Sequence, residues 1–224
     1  MSKKIASWSF SALEQFRNCP RQYQAERITK EIPYVEGPAQ KHGNWVHKMF
    51  EDYIASGRAL PPELLEFRAI LDRVCQWPDV KPEWALAIDK EFKPIEYFSK
   101  QAWCRAKVDV WSVDGDLCRI VDWKTGKRKY DYDQLLLNGL LTMCHLPNVN
   151  RVKSAFFWTK EGKFDVQEFK REDWHTHWQR FLPDVARIER ASELNVWQEK
   201  PSGLCNGWCR VESCVYWKPK QMRG

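Results

Sequence analysis

Asp122 and Lys124 stand two residues apart in the segment Ile120-Val121-Asp122-Trp123-Lys124-Thr125-Gly126. In a strand, side chains alternate between faces, so these two share one side while Val121 and Trp123 take the other. A carboxylate and an ammonium then meet in one place. Earlier in the chain, Val108-Asp109-Val110 offers a second acid, and a hairpin turning at Asp114-Gly115-Asp116 would bring Asp109 beside Asp122. Two adjacent carboxylates repel unless a cation lies between them, and oxygen donors of this kind suit magnesium or manganese. Such a cation acidifies water and neutralises charge on a phosphodiester, and a nearby lysine orients or deprotonates the attacking water. In isolation, an Asp-x-Lys pair reads as an ordinary salt bridge on an exposed strand.

Charge and cysteine usage narrow the setting. The net charge of +6 is too small to diagnose a nucleic-acid partner. Lys124, Lys127, Arg128 and Lys129, however, crowd together just after the acidic strand, where they suit a phosphate. The N-terminus, Met1-Ser2-Lys3-Lys4, leads into a mixed segment without a signal-type apolar stretch, and no long apolar run follows. A cytoplasmic chain without membrane association is expected. In that compartment eight cysteines argue for metal binding or burial over disulfides. Cys75, Cys104, Cys118 and Cys144 lie in periodic segments and read as packed thiols, whereas Cys205, Cys209 and Cys214 cluster in a glycine-containing terminal loop.

The elements that must hold these groups can be read in outline. Ser11-Ala12-Leu13-Glu14 has the form of a capping box and predicts a helix to about residue 27. Pro38 opens a second helix that ends at Gly57, and Pro61-Pro62 a third that ends near Trp77. Three antiparallel strands follow at about 85–97, 101–112 and 117–123. A helix over about 131–145, strands at 152–159 and 164–169, and a long helix over about 171–194 complete the order. The expected fold is a mixed α/β layer, in one domain of 224 residues: helices over about 9–77, a core over about 84–170, and a C-terminal helix with an irregular cysteine-bearing tail over about 171–217.

Arg105-Ala106-Lys107-Val108-Asp109 followed by Val121-Asp122-Trp123-Lys124-Thr125-Gly126 resembles the paired strands of PD-(D/E)XK nucleases of the RecB-like branch, which includes CRISPR-associated adaptation nucleases and helicase-nuclease subunits. Gly43-Asn44-Trp45-Val46-His47 is similar to that branch's helical G-x-x-x-H element. The resemblance implies a restriction-endonuclease-like core, a mostly antiparallel central sheet flanked by helices. It also implies that His47, Asp109 and Asp122 hold the metal, with Glu51 one turn on to orient His47. Lys124 would assist the attacking water, and Gln134 resembles the start of a Q-x-x-x-Y element that positions DNA, with Lys127, Arg128 and Lys129 beside it. Glu91 matches an acidic position of the first strand. Two departures stand out: Ala106 replaces the usual Gly three residues before the first Asp, and Asn138 replaces the Tyr.

Ser9-Phe10-Ser11 and Cys19-Pro20-Arg21-Gln22-Tyr23 are similar to the S-x-S and C-P-x-x-Y elements of iron-sulfur members. The resemblance thereby joins Cys19 to Cys205, Cys209 and Cys214, whose C-x3-C-x4-C spacing displaces the middle cysteine by one from the common pattern. Four thiolates suit a 4Fe-4S cluster or tetrahedral zinc, and the family favours the cluster. Trp197, Trp208 and Trp217 are expected to shield that clasp and pack. The implied activity is trimming of single-stranded or free-ended DNA in recombination, repair or CRISPR-type processing, with proteins of those processes as partners. The competing reading is a non-catalytic DNA-binding or assembly module, which Asn138 favours and the Asp109, Asp122 and Lys124 set opposes. Polarity, oligomeric state and preference for DNA over RNA stay open at this level.

Overall fold

The computed structural model describes residues 7–219. The chain divides into two compact units. One spans Glu36–Trp178, and the other joins the two ends of the chain, up to Val35 and from Gln179 onward. The fold is mixed α/β, with a five-stranded, mostly antiparallel sheet flanked by helices. Among the described residues, no helix is long and apolar enough to cross a membrane.

In the Glu36–Trp178 unit the strands run in the order β1 (Lys81–Ile88), β2 (Cys104–Asp114), β3 (Leu117–Lys124), β4 (Arg151–Trp158) and β5 (Lys163–Lys170). All neighbours are antiparallel except β3 and β4, which are parallel and therefore need a crossover. Helix α5 (Asp133–His145) supplies it. Gly115, at φ 61°, turns the chain between Asp114 and Leu117, so β2 and β3 form the expected hairpin.

Helices α3 (Pro38–Ser56) and α4 (Arg68–Cys75) cover one face of the sheet. Val110, Val121, Trp123, Ala155 and Phe157 point into that core and meet Val46, Phe50, Phe67 and Leu71. The Trp123 indole is fully buried and packs edge-on against Phe50 and Phe157, with ring centroids 5.2 and 5.8 Å away. Burying a side chain of this size contributes about 2–3 kcal/mol and makes the alternation of β3 hard to reverse, because a slip by one residue would put Asp122 in the core.

In the unit built from the chain ends, helix α1 (Phe10–Asn18) is capped by Ser9, whose hydroxyl accepts the Ala12 N–H, and not by Ser11. Cys19 is extended, at φ −161° and ψ 111°, because the proline after it disfavours helical backbone. Pro20 then opens α2 (Pro20–Tyr23), which runs into a π-helical turn over Gln24–Ile28. The expected single helix to residue 27 is thus broken at the cysteine. Helix α7 (Leu182–Leu194) completes this unit, and Arg17 ties α1 to it through Asp184 at 2.6 Å. Tyr23 stacks on Trp197 at 5.8 Å.

Three further boundaries differ from expectation. β1 stops at Ile88, and residues to 97 do not extend it, because the Asp89 carboxylate takes the N–H groups of Glu91 and Lys93 and turns the chain. The third helix begins as a 3-10 segment, Pro62–Phe67, before α4. The long helix over 171–194 is two, α6 (Trp174–Trp178) and α7, since Pro183 in the first turn of α7 has no N–H to continue a helix from before.

Candidate active site

The β2–β3 ladder pairs Val110 with Val121, and the same register carried one step further sets Asp109 opposite Asp122. There the backbone pairing gives way to a side chain: Asp109 Oδ2 accepts the Trp123 N–H at 2.8 Å. Its other oxygen meets His47 Nδ1 at 3.1 Å. His47 comes from α3, one helical turn after Gly43. A Cβ added at Gly43 would lie 3.0 Å from the Thr125 hydroxyl oxygen, so the absence of a side chain lets α3 come close to the chain leaving β3.

On the β3 side, Lys124 Nζ donates to Gln134 Oε1 at 2.9 Å, and Gln134 Nε2 donates to Asp122 Oδ1 at 2.9 Å. The remaining oxygen, Asp122 Oδ2, is buried and pairs with the Lys124 ammonium at 2.5 Å, so Gln134 and Lys124 between them engage both oxygens of Asp122. The Lys124 ammonium also sits over the Phe156 ring, 4.7 Å from its centre.

Electrostatics tie these groups together. Burial pushes the Asp122 carboxyl above its ordinary range, with the Asp109 charge adding to that, while Lys124 and His47 oppose. At His47 burial works downward, but the hydrogen bond and charge of Asp109, joined by Asp122, leave it raised. Two carboxyl groups on facing strand positions, Asp122 buried, form an oxygen donor set that suits a hard divalent cation. Among the described residues, no three or more His, Cys, Asp or Glu side chains are already drawn together as a metal-holding group.

His47, Asp109, Asp122, Lys124 and Gln134 are thus brought together. The others are placed differently. Glu51 forms its ion pair with Lys48 at 2.9 Å, and the group that orients His47 is Asp109. Glu91 is exposed in the turn after β1, not on the strand where the sequence had placed it. Lys127 and Lys129 are exposed, but Arg128 is committed to protein: its Nε donates to Asp165 Oδ2 at 2.9 Å and its Nη2 to Asp165 Oδ1. Asn138 is buried with its amide nitrogen unpaired, so it faces no substrate. Sequence reasoning missed the Trp123 N–H, Phe156 and Asp165. Only Asp165 left a signal, as an inward position in an alternating strand.

The four clasp cysteines lie in the unit made by the chain ends. Cys19, Cys205, Cys209 and Cys214 all line one pocket, together with Asn18, Lys200 and Tyr216 among others. Burial pushes the Cys209 thiol up, and the other three cysteines add to the shift, which marks their proximity. Trp217 donates its indole N–H to the Cys209 carbonyl at 2.9 Å, Trp197 is buried, and Trp208 is 68% exposed. Of the remaining cysteines, burial lifts Cys118 to about 12 and Cys144 to about 11, as packed thiols require, and Cys104 is fully buried. Cys75 departs from the expectation, being exposed near the end of α4.

Comparison with known proteins bears on the fold and the family. A structure from Eubacterium rectale, named as a candidate exonuclease, aligns over 94% of this chain and 90% of its own at 15% identity, with a TM-score of 0.56. The structure of SSO0001 aligns over 93% and 85% at 13% identity and a TM-score of 0.44, too low to carry weight. No curated protein matches. The family model of the PD-(D/E)XK nuclease superfamily matches residues 7–214, and the chain therefore belongs to that superfamily.

Proposed function

We propose that the protein is a magnesium- or manganese-dependent deoxyribonuclease that trims single-stranded or free-ended DNA, with His47, Asp109 and Asp122 as the metal-holding side chains. The observation that carries this reading is the convergence of His47, Asp109, Asp122 and Lys124 through direct contacts, in a chain of a nuclease superfamily. The cation, when bound, supplies Lewis acidity toward the phosphodiester.

The chain's own groups divide the remaining work. Asp109 is held by the Trp123 N–H and in turn orients the His47 ring. Gln134 grips Asp122 and Lys124 at once, which fixes the ammonium relative to the acid. Lys124 then supplies a positive charge and a donor where water attacks and negative charge grows on phosphorus. The exonuclease character agrees with the name of the Eubacterium rectale structure, whose fold this chain shares.

Cys19, Cys205, Cys209 and Cys214 are not already gathered as a metal-holding group, but all four line one pocket, which supports reading them as the ligands of a four-thiolate site. We assign them to a 4Fe-4S cluster, with zinc as the alternative occupant, that cross-links the two ends of the chain. A cross-link between positions this distant in sequence removes much of the freedom of the unfolded chain.

The test is an anaerobic preparation assayed on end-labelled single- and double-stranded DNA with magnesium, manganese or chelator, beside Asp122→Ala. Cleavage that needs the cation and vanishes in Asp122→Ala is expected. Undiminished cleavage in chelator, or by the variant, would overturn the mechanism. Iron and visible absorption in the same preparation distinguish cluster from zinc.

A further inference from the structure

The segment between β3 and α5, residues 125–132, is irregular, and its two ends carry Lys124 and Gln134. Tyr130 projects from it and is 75% exposed, a large aromatic ring in water within a few residues of the acid-lysine site. It is not loosely placed. The Arg128 guanidinium stands 5.1 Å from the ring centre and is itself held by both oxygens of Asp165, to which the Trp158 indole N–H also donates at 2.8 Å.

The sheet register locates this assembly. Asp122 pairs with Phe156, and Phe156 with Asp165, so Asp165 lies in the same row as Asp122 and on the same face, two strand spacings or about 10 Å away. Tyr130 is linked to Asp165 through Arg128, which puts its ring within a few nucleotides' reach of Asp122 along a single strand. Lys127 and Lys129, both exposed, flank Arg128 and can meet phosphates.

We propose that Tyr130 is the residue on which an unpaired base stacks, a few nucleotides from the phosphate that a cation at Asp109 and Asp122 would engage. Arg128 is the positioning residue that supports the ring. This deepens the nuclease reading above and rests on it for the location of the phosphate. Stacking needs a base with an open face, and bases inside a duplex have both faces covered by their neighbours. Tyr130 therefore favours a single strand over the interior of a duplex. It also gives Arg128 a task different from the phosphate contact that its place in a basic run suggests.

The test is a binding measurement, by fluorescence anisotropy without divalent metal, on single-stranded oligonucleotides carrying one abasic position walked along the strand. In the parent chain, one position near the bound end should lose on the order of tenfold in affinity when its base is removed. Tyr130→Ala should lose about as much on the intact strand and show no further loss at that abasic position, while Tyr130→Phe keeps both the affinity and the abasic effect. A covalently closed circular duplex, which has no terminal base, should bind Tyr130→Ala and parent alike. Parent-like single-strand binding by Tyr130→Ala, an unchanged abasic penalty, or an equal loss on duplex would each overturn the proposal. Cleavage assays on the same proteins separate the two readings: cation-dependent cleavage with no Tyr130 effect sinks only the stacking role, and no cleavage by the parent sinks the nuclease proposal whatever Tyr130 does in binding.

Discussion

The acid-lysine site and the four-cysteine pocket are built in opposite ways. Asp109, Asp122 and Lys124 stand on neighbouring strands, and their spacing is set by a ladder of backbone hydrogen bonds and by Trp123 locked in the core. The cysteines stand on an extended residue between two helices and on a tail with only a 3-10 turn and scattered turn bonds. A site on strands is preorganised before any ligand arrives, whereas a site on irregular chain gains order from what it binds. Chemistry should therefore be sensitive to single atoms in the first region, and stability to the bound group in the second.

The sharpest break in this comparison is Lys124→Ala. It should lower the cleavage rate by about a thousandfold, in the range that positioned proton-handling or charged groups contribute, with DNA affinity nearly kept. Steady-state rates and metal-free binding measured side by side would show the split, and a fall in affinity as large as the fall in rate would contradict it.

Cys209→Ala probes the other region. Loss of the bound group should cost about 3 kcal/mol and lower the melting temperature by roughly 10 °C. Metal analysis and a melting curve read both effects. An unchanged melting point in metal-depleted protein would show that the clasp does not hold the chain ends.

Asp165→Asn tests the support beside the site and should cost about 2 kcal/mol, since it loosens the charged fork with Arg128. The Arg128 hydrogen bonds hold the Asp165 carboxyl below its ordinary range, with help from the Trp158 N–H and against the opposing effect of burial. A depressed folded pKa means that this stabilisation is complete above the usual carboxylate range and is lost as the pH falls through the folded value. Unfolding curves across acid pH should accordingly show a shallower loss in Asp165→Asn than in the parent.

The smallest effect is expected of Gly43→Ala. Alanine gains about 1 kcal/mol of helix preference, but its methyl group meets Thr125 Oγ1 at 3.0 Å. Net stability should change little while cleavage falls several-fold as His47 shifts. Adding Thr125→Ala should restore the rate, and no recovery would place the fault elsewhere.

Much of this contrast was legible in the chain itself. Alternation put Asp122 with Lys124 and the turn at Gly115 brought Asp109 alongside, because strand period and hairpin geometry are local rules. Pro20, by contrast, broke at Cys19 a helix expected from the sequence to run to about residue 27. Local competition was harder to read. Asp89 captured the N–H groups that would have extended β1, so Glu91 fell in a turn, and Pro183 split a helix that its apolar spacing had joined.

Sequence by itself determined that two acids and a lysine fall at spacings that strand period and a hairpin turn bring to one place, with the imidazole added by family resemblance, and that three cysteines cluster apart from the rest. Tertiary structure alone decided that Asp109 takes the Trp123 N–H, that Arg128 serves Asp165, and that Phe156 and Asp165 lie in one row with Asp122. The reason is physical. The first relation is a side-chain contact that replaces ladder pairing in the β2–β3 hairpin, whereas the row of Asp122, Phe156 and Asp165 depends on the parallel β3–β4 pairing made across a helical crossover, where partners are chosen by packing of the whole sheet.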